Sequence, residues 1–250
     1  IMAYTTIDDP SAFFQTLLWT GDDSSRSLTN TGNSNLQPDW IWTTSRSNGY
    51  NNGMFDSTRG ANELLNSNTQ NAEATLTTGV SAFNSNGFSF SGQAYNTNGY
   101  TFVGWQWKCN GGSRTTFTES GNNPGGGYQA NTTAGFSIVD YTGTGGAGTV
   151  QHGLGAVPEL IIFKDRDDAS NWLVYTEPTG NTHTLFLNRN VAKEDDATLY
   201  NDTTPTSSVF SLGAHNDINE NNDTYIAYCF TSIKGYSKIG SYTGNGNADG

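Results

Sequence analysis

The sequence predicts an all-β protein built from two tandem, homologous β-sandwich units of jelly-roll type. Three observations carry that prediction. A long stretch reads itself back about 120 residues later, short strand-like segments alternate with turn-forming residues, and helical periodicity is weak throughout. Pro38-Asp39-Trp40-Ile41-Trp42-Thr43-Thr44-Ser45-Arg46 lies over Pro158-Glu159-Leu160-Ile161-Ile162-Phe163-Lys164-Asp165-Arg166 at a constant offset of 120. The offset is 122 where Phe88 meets Phe210, and 123 where Thr101 to Trp107 meets Thr224 to Phe230. Small slips of this kind are length changes in the loops between shared strands. Self-similarity at such spacing marks a duplicated unit of domain size, not a solenoid.

The first element is an opening strand that occurs three times: Phe14 to Trp19-Thr20-Gly21, Phe136 to Tyr141-Thr142-Gly143, and Tyr236 to Tyr242-Thr243-Gly244. The third copy either closes the second unit or begins another. The expected division is therefore a first unit over 1–108, a connector rich in Gly, Asn and Ser over 109–134, a second unit over 135–232, and a closing strand or new start over 233–250. Asp9 to Leu18 and Ala61 to Leu65 are the best helix candidates, but the repeat outweighs them. Ala61 to Asn68 aligns with His183 to Asn190, which alternates like a strand. Strands of the second unit are expected at 136–142, 159–164, 171–176, 183–188, 207–212, 223–231 and 236–242.

Alternation assigns the faces. Val103, Trp105 and Trp107 alternate with Gly104, Gln106 and Lys108, so the first set is expected to face the core and the second to face water or a partner. By equivalence Ile226, Tyr228 and Phe230 point inward, with Tyr225, Ala227 and Cys229 opposite. Leu160-Ile161-Ile162-Phe163 is apolar without alternation, as in a central strand covered on both sides. The connector, with Gly111-Gly112 and Pro124-Gly125-Gly126-Gly127, reads as a long flexible connector or an excursion loop.

Composition narrows the function. Charged residues are 14% of the chain, against about 25% in ordinary domains, while aromatics stand at 12%. Gly, Asn, Ser and Thr suit tight turns between short strands, and the aromatic content argues against disorder. A formal net charge of −12, with only 11 scattered Lys and Arg, disfavours nucleic acid as a partner. No run of 18 apolar residues exists to insert into a membrane, and the N-terminal residues carry no secretory signal pattern. Cys109 and Cys229 occupy non-equivalent repeat positions, so no disulfide is implied.

The stretches Asp9 to Thr16, Phe55-Asp56-Ser57-Thr58-Arg59-Gly60, His152-Gly153-Leu154-Gly155 and Tyr225 to Phe230, followed by Gly235-Tyr236-Ser237-Lys238, carry a resemblance over essentially the whole chain. They resemble an uncharacterised repeated domain of marine bacteriophage virion structural and tail fibre-like proteins. The resemblance implies a virion component, on the particle surface or in a tail appendage, whose partners are other virion proteins. It brings no established functional residues with it.

Candidate sites are weighed on chemistry. His152, His183 and His215 all fall in the second unit, without a sequence pattern that makes them converge on a metal or catalytic site. Asp217, Asn219, Asn221 and Asp223 set oxygen ligands at short spacing, the kind of set Ca²⁺ takes, though not in the EF-hand pattern. Beyond that set no cofactor is implied. No Gly-x-Ser-x-Gly elbow, phosphate loop or paired catalytic acids appear, so a non-enzymatic protein is expected. Trp40, Trp42, Trp105, Trp107 and Trp172 have faces that stack on sugar rings. Most of them align with apolar residues of the other copy, as core positions do, which leaves Trp172 and Tyr175, near Asp168 and Asn171, as the surface candidates for a glycan. Asn131-Thr132-Thr133, Asn201-Asp202-Thr203 and Asn222-Asp223-Thr224 match the glycosylation sequon but read as polar turns.

The expectation is a tail-fibre or appendage protein that adheres to a bacterial surface glycan and assembles as a homo-oligomer. The rival readings are a capsid-surface decoration protein and a free carbohydrate-binding module or depolymerase.

Overall fold

A computed structural model describes residues 5–247. Nineteen short strands dominate it, and every pairing between them is antiparallel. In the first half these are β1 (Phe14–Thr20), β2 (Arg26–Thr29), β3 (Trp40–Ser45), β4 (Gly53–Asp56), β5 (Gly60–Asn66), β6 (Ala74–Thr75), β7 (Val80–Asn84), β8 (Gly87–Phe90) and β9 (Thr101–Trp107). The rest of the chain holds β10 (Thr115–Phe117), β11 (Gly126–Asn131), β12 (Phe136–Thr142), β13 (Gly148–Gln151), β14 (Leu160–Asp165), β15 (Leu173–Thr176), β16 (His183–Phe186), β17 (Glu194–Asp195), β18 (Val209–Leu212) and β19 (Thr224–Phe230). Two single-turn helices, α1 (Ala197–Tyr200) and α2 (Asn216–Asn219), complete the second half.

The strands form a six-stranded sheet in the order β1-β9-β3-β4-β5-β6, an eight-stranded sheet β10-β11-β12-β19-β14-β15-β16-β17, and two small sheets, β2-β8-β7 and β13-β18. Each small sheet covers one face of its large neighbour. Trp19, Ile41, Phe55 and Phe102 of the six-stranded sheet meet Val80, Phe88 and Phe90 in one core. Tyr141, Phe163, Tyr225 and Cys229 of the eight-stranded sheet meet Val150, Phe210 and Leu212 in another. The remaining faces of the two large sheets pack on each other. Trp40, Met54 and Leu65 from one side join Phe136, Ile162, Trp172, Ile226 and Tyr228 from the other in a third core. Trp40 stacks on Tyr228 with ring centroids 4.4 Å apart. The layers therefore run three, six, eight and two strands.

This stacking changes the face assignment. The face of β9 expected to meet water is buried: Gln106 is fully enclosed, because its amide exchanges two hydrogen bonds with Asn30, at 2.7 and 3.0 Å, inside the first core. Polar groups are tolerated in a core when they satisfy each other. Val103, Trp105 and Trp107 lie on the opposite face, which the eight-stranded sheet covers only in part. In β19 both faces are covered, and Tyr225 through Cys229 are completely buried.

Two further expectations are corrected. Segment 109–134 is no flexible loop, since it supplies β10 and β11, which extend the eight-stranded sheet beyond β12 and are held there by an ion pair between Arg114 and Asp140. Its glycines serve close packing: a Cβ on Gly126 would lie 2.1 Å from the Asp140 carbonyl oxygen. Segment 236–242 forms no strand. Ile233 and Ser237 make one isolated bridge, Tyr236 packs edge-on against Phe13 with centroids 6.3 Å apart, and Tyr242 is 94% exposed. The ends of the chain read at the sequence level, 1–4 and 248–250, lie outside the described residues. No helix among the described residues is long and apolar enough to cross a membrane.

Candidate functional site

Trp172 and Tyr175 are not at the surface. Trp172 lies between the bend at 166–168 and β15 and is completely buried between the large sheets, its indole N–H donating to the Asn66 carbonyl of the first half at 2.9 Å. Tyr175 points to the opposite face of β15 and packs edge-on against Tyr200 in the second-half core. Asp168 is exposed, and Asn171 accepts from the amides of Gln70 and Asn188 at 2.8 and 3.1 Å. These four residues do not line a common site. The residues that precede Trp172, Ser170 and Asn171, are polar, and its partner Asn66 lies 106 residues earlier, outside any local pattern.

The expected cation set disperses too. Asn219 is buried and spends its side chain on the chain itself: Oδ1 accepts from Thr144 N–H at 2.9 Å, and Nδ2 donates to the Gly146 and Gly213 carbonyls at 2.7 and 2.8 Å. Asp217 lies in a small polar cleft with His215 and Asp196, while Asn221 is exposed next to Gly145. Asp223 instead meets Asp168 and Glu220, with one oxygen of each within 4.8 Å of the others. The three histidines have different partners. His152 is buried, its ring bonded to the Thr206 carbonyl at 3.1 Å and its pKa lowered by desolvation. His183 stands beside Asp195 at 3.8 Å, and His215 stands beside Asp196 at 3.7 Å and caps α2.

The first half carries a site of another kind. Trp42 of β3 and Trp105 of β9 face each other across paired strands, and with Trp107, Thr44 and Asn52 they line an open groove of about 380 Å³. Its origin is the offset between the large sheets. Trp40 is covered by the second half; on the same face Trp42 and Thr44 of β3 and Trp105 and Trp107 of β9 stay half-buried. On the adjoining strand the same face continues through Thr16, paired with Trp105, and Leu18, which is 57% exposed.

The groove is rigid at its base and polar at its rim. Trp40 stacks on Trp42 at 5.8 Å and lies 4.4 Å from Trp107, so these half-buried indoles rest on a ring anchored in the core. Trp42 and Trp105 are 6.2 Å apart with their planes at 68°. The Trp42 indole N–H donates to Ser67 Oγ at 3.0 Å, which fixes its ring. Thr44 Oγ1 donates to Asn52 Oδ1 at 2.6 Å, and the Asn52 backbone N–H donates to Asn68 Oδ1 at 2.8 Å. Fixed indole faces beside a hydroxyl and an amide supply apolar contact with convergent hydrogen bonding, as pockets for small polar ligands require.

Equivalent positions in the second half show how the groove differs from core. Trp42, Thr44, Asn52, Trp105 and Trp107 correspond by strand register to Ile162, Lys164, Trp172, Tyr228 and Phe230. The first four of those are buried. Sequence alignment to apolar partners therefore marks Trp42 and Trp105 as interior, and only the offset of the sheets leaves them accessible. The interleaved Thr44 and Asn52 were the available signal.

A family profile described as a domain of unknown function (DUF7483) matches residues 9–250. No curated protein and no solved structure matches the chain.

Proposed function

We propose, from the premise that this chain belongs to the DUF7483 family of domains of unknown function, that it is a non-enzymatic adhesive protein that holds a glycan in the Trp42–Trp105 groove. The observation that carries this reading is the groove: fixed, half-buried tryptophans kept on a sheet face whose counterparts in the second half, Phe230 apart, are buried. Leaving large aromatic surface in water is unfavourable, so its retention beside Thr44 and Asn52 favours a ligand-binding role.

In this reading the chain is a duplicated sandwich unit. The order β1-β9-β3-β4-β5-β6 matches β12-β19-β14-β15-β16-β17, and β2-β8 matches β13-β18. The pairings Phe14 with Trp107 and Phe136 with Phe230 occupy the same register. These agreements support duplication followed by face-to-face packing, which gives a stiff four-layered body suited to an appendage. The virion setting, with other virion proteins as partners and assembly into homo-oligomers, rests on the sequence resemblance alone.

The test is an array of bacterial surface polysaccharides probed with the full chain and with Trp105→Ala. Selective retention of the wild type, lost in the variant, supports the reading. Equal retention of both, or none, overturns it; release of new reducing ends would replace adhesion with depolymerisation.

A further inference from the structure

Resting on the adhesive reading of the groove, we infer that its ligand is an uncharged pyranose, gripped one ring at a time in the corner between Trp42 and Trp105, and that recognition uses neither a bound cation nor an ion pair.

None of the five lining residues, Trp42, Thr44, Asn52, Trp105 and Trp107, is ionisable. An anionic sugar entering this groove would surrender water around its carboxylate or sulfate without meeting a cation, and an unpaired charge in an aromatic surround is costly. The chain's net charge of −12 adds long-range repulsion against polyanions. The half that does carry a cation at the matching strand position hides it. Lys164, the counterpart of Thr44, is fully buried and its ammonium donates to the Asp165 and Asp168 carbonyls and to Ser170 Oγ at 2.5, 3.1 and 3.2 Å.

A flat ribbon of sugar rings is matched by coplanar aromatics, whereas Trp42 and Trp105 meet at 68° with centroids 6.2 Å apart. Such a corner contacts the C–H face of one ring with one indole and that ring's edge with the other. Thr44 and Asn52 then stand at the rim for equatorial or axial hydroxyls. The acidic trio Asp168, Glu220 and Asp223 belongs to the other half and contributes nothing to the lining.

The experiment is calorimetric titration of the full chain with neutral oligosaccharides (glucan, mannan and galactan) and with a polygalacturonate oligosaccharide of equal length, each with and without EDTA and at low and high salt. The expected result is binding of at least one neutral oligosaccharide, unchanged by EDTA or salt, and weakened about tenfold or more by Trp105→Ala. That factor corresponds to about 1.4 kcal/mol. Trp105-dependent binding of the uronate in preference to neutral sugars, or binding abolished by EDTA, overturns the inference while leaving adhesion intact. Absence of Trp105-dependent binding to any of the sugars overturns the adhesive reading itself. Thr44→Lys provides an arm that does not depend on removing a large side chain: a folded variant is expected to gain about tenfold or more in uronate affinity. An unchanged uronate affinity overturns charge selection by this groove.

Discussion

The Tyr228 hydroxyl donates a 2.8 Å hydrogen bond to Asp56 Oδ2, joining β19 to the end of β4 across 172 residues of sequence. It is the centre of a buried latch between the halves. Arg59 pairs with Asp56 at 2.5 Å and with Glu73 at 2.7 Å, and Arg166 of the second half reaches the same Glu73 at 2.6 Å. Asp56 also accepts from the backbone N–H groups of Thr58 and Arg59, at 3.0 and 2.9 Å, so its charge is fully coordinated.

Breaking that latch from its two sides has unequal consequences. Tyr228→Phe removes one hydrogen bond to a charged acceptor that keeps its other donors, and is expected to cost about 1.5–3 kcal/mol. Arg59→Leu leaves Asp56 buried and uncompensated, at about 3–5 kcal/mol. Urea titration of both variants measures the difference. Equal effects would mean that water reaches Asp56 in the Arg59 variant.

Because the halves share the Trp40–Tyr228 core, they are expected to unfold together. Trp40→Ala, a truncation at a completely buried ring, should cost about 3–5 kcal/mol and lower hydrogen-exchange protection in β9 and β19 alike. Trp107→Ala and Phe230→Ala, at half-buried positions of the same seam, should each cost less and also act on both halves. Loss of protection confined to one half in all three variants would show that the halves fold independently.

The glycines that close the repeated opening-strand motif make a three-way comparison. A Cβ on Gly21 would lie 2.1 Å from the Thr97 carbonyl oxygen, and one on Gly143 would lie 2.1 Å from that of Glu220, because a returning loop passes the end of each strand. The third motif glycine, Gly244, has nothing within 4 Å. Gly21→Ala and Gly143→Ala are expected to destabilise by about 1–3 kcal/mol as overpacked sites, and Gly244→Ala by almost nothing. Thermal melting of the three variants decides it, and equal Tm values would remove the steric reading of the motif.

Both cysteines are free and buried, Cys109 under the Gln129 and Phe136 carbonyls and Cys229 in the second-half core, with burial pushing the Cys229 thiol up to about 12. Neither is expected to react with a thiol reagent in the folded protein, and both should react in urea. Rapid labelling without denaturant would contradict the packing around β11, β12 and β19.

The strand content of the fold was readable from Trp40, Ile162 and their neighbours, because alternation and turn residues are local signals. Segment 109–134 was not, since Gly126-Gly127-Tyr128-Gln129 lacks the apolar density of a strand. Its pairing depends on glycine letting β12 approach. Trp172 is not legible for a related reason: burial there comes from the core between the large sheets and from Asn66, which no local pattern around residue 172 encodes. The groove was half-legible. Trp42 and Trp105 stood out as sugar-stacking residues, yet their alignment with Ile162 and Tyr228 marked them as core, and only the relative placement of the two large sheets exposes them.

The turn after β14 sets a distinctive pH dependence. Burial pushes the Asp165 carboxyl up to about 6 from its ordinary 3.8, despite the two backbone N–H groups it accepts from Asp167 and Asp168. Burial likewise lowers the neighbouring Lys164 ammonium to about 8 from 10.5. The folded state holds the Asp165 proton more tightly than the unfolded chain, so this contribution is complete below pH 3.8 and is lost as pH rises through about 6. The folded state holds the Lys164 proton less tightly, so stability from this group rises between about pH 8 and 10.5. Asp165→Asn keeps an acceptor for the two N–H groups and should flatten the acid-side slope relative to wild type. Lys164→Met should flatten the alkaline one. Urea midpoints across pH 4 to 10 test both, and a wild-type acid-side slope surviving in Asp165→Asn would assign the titration to another carboxylate.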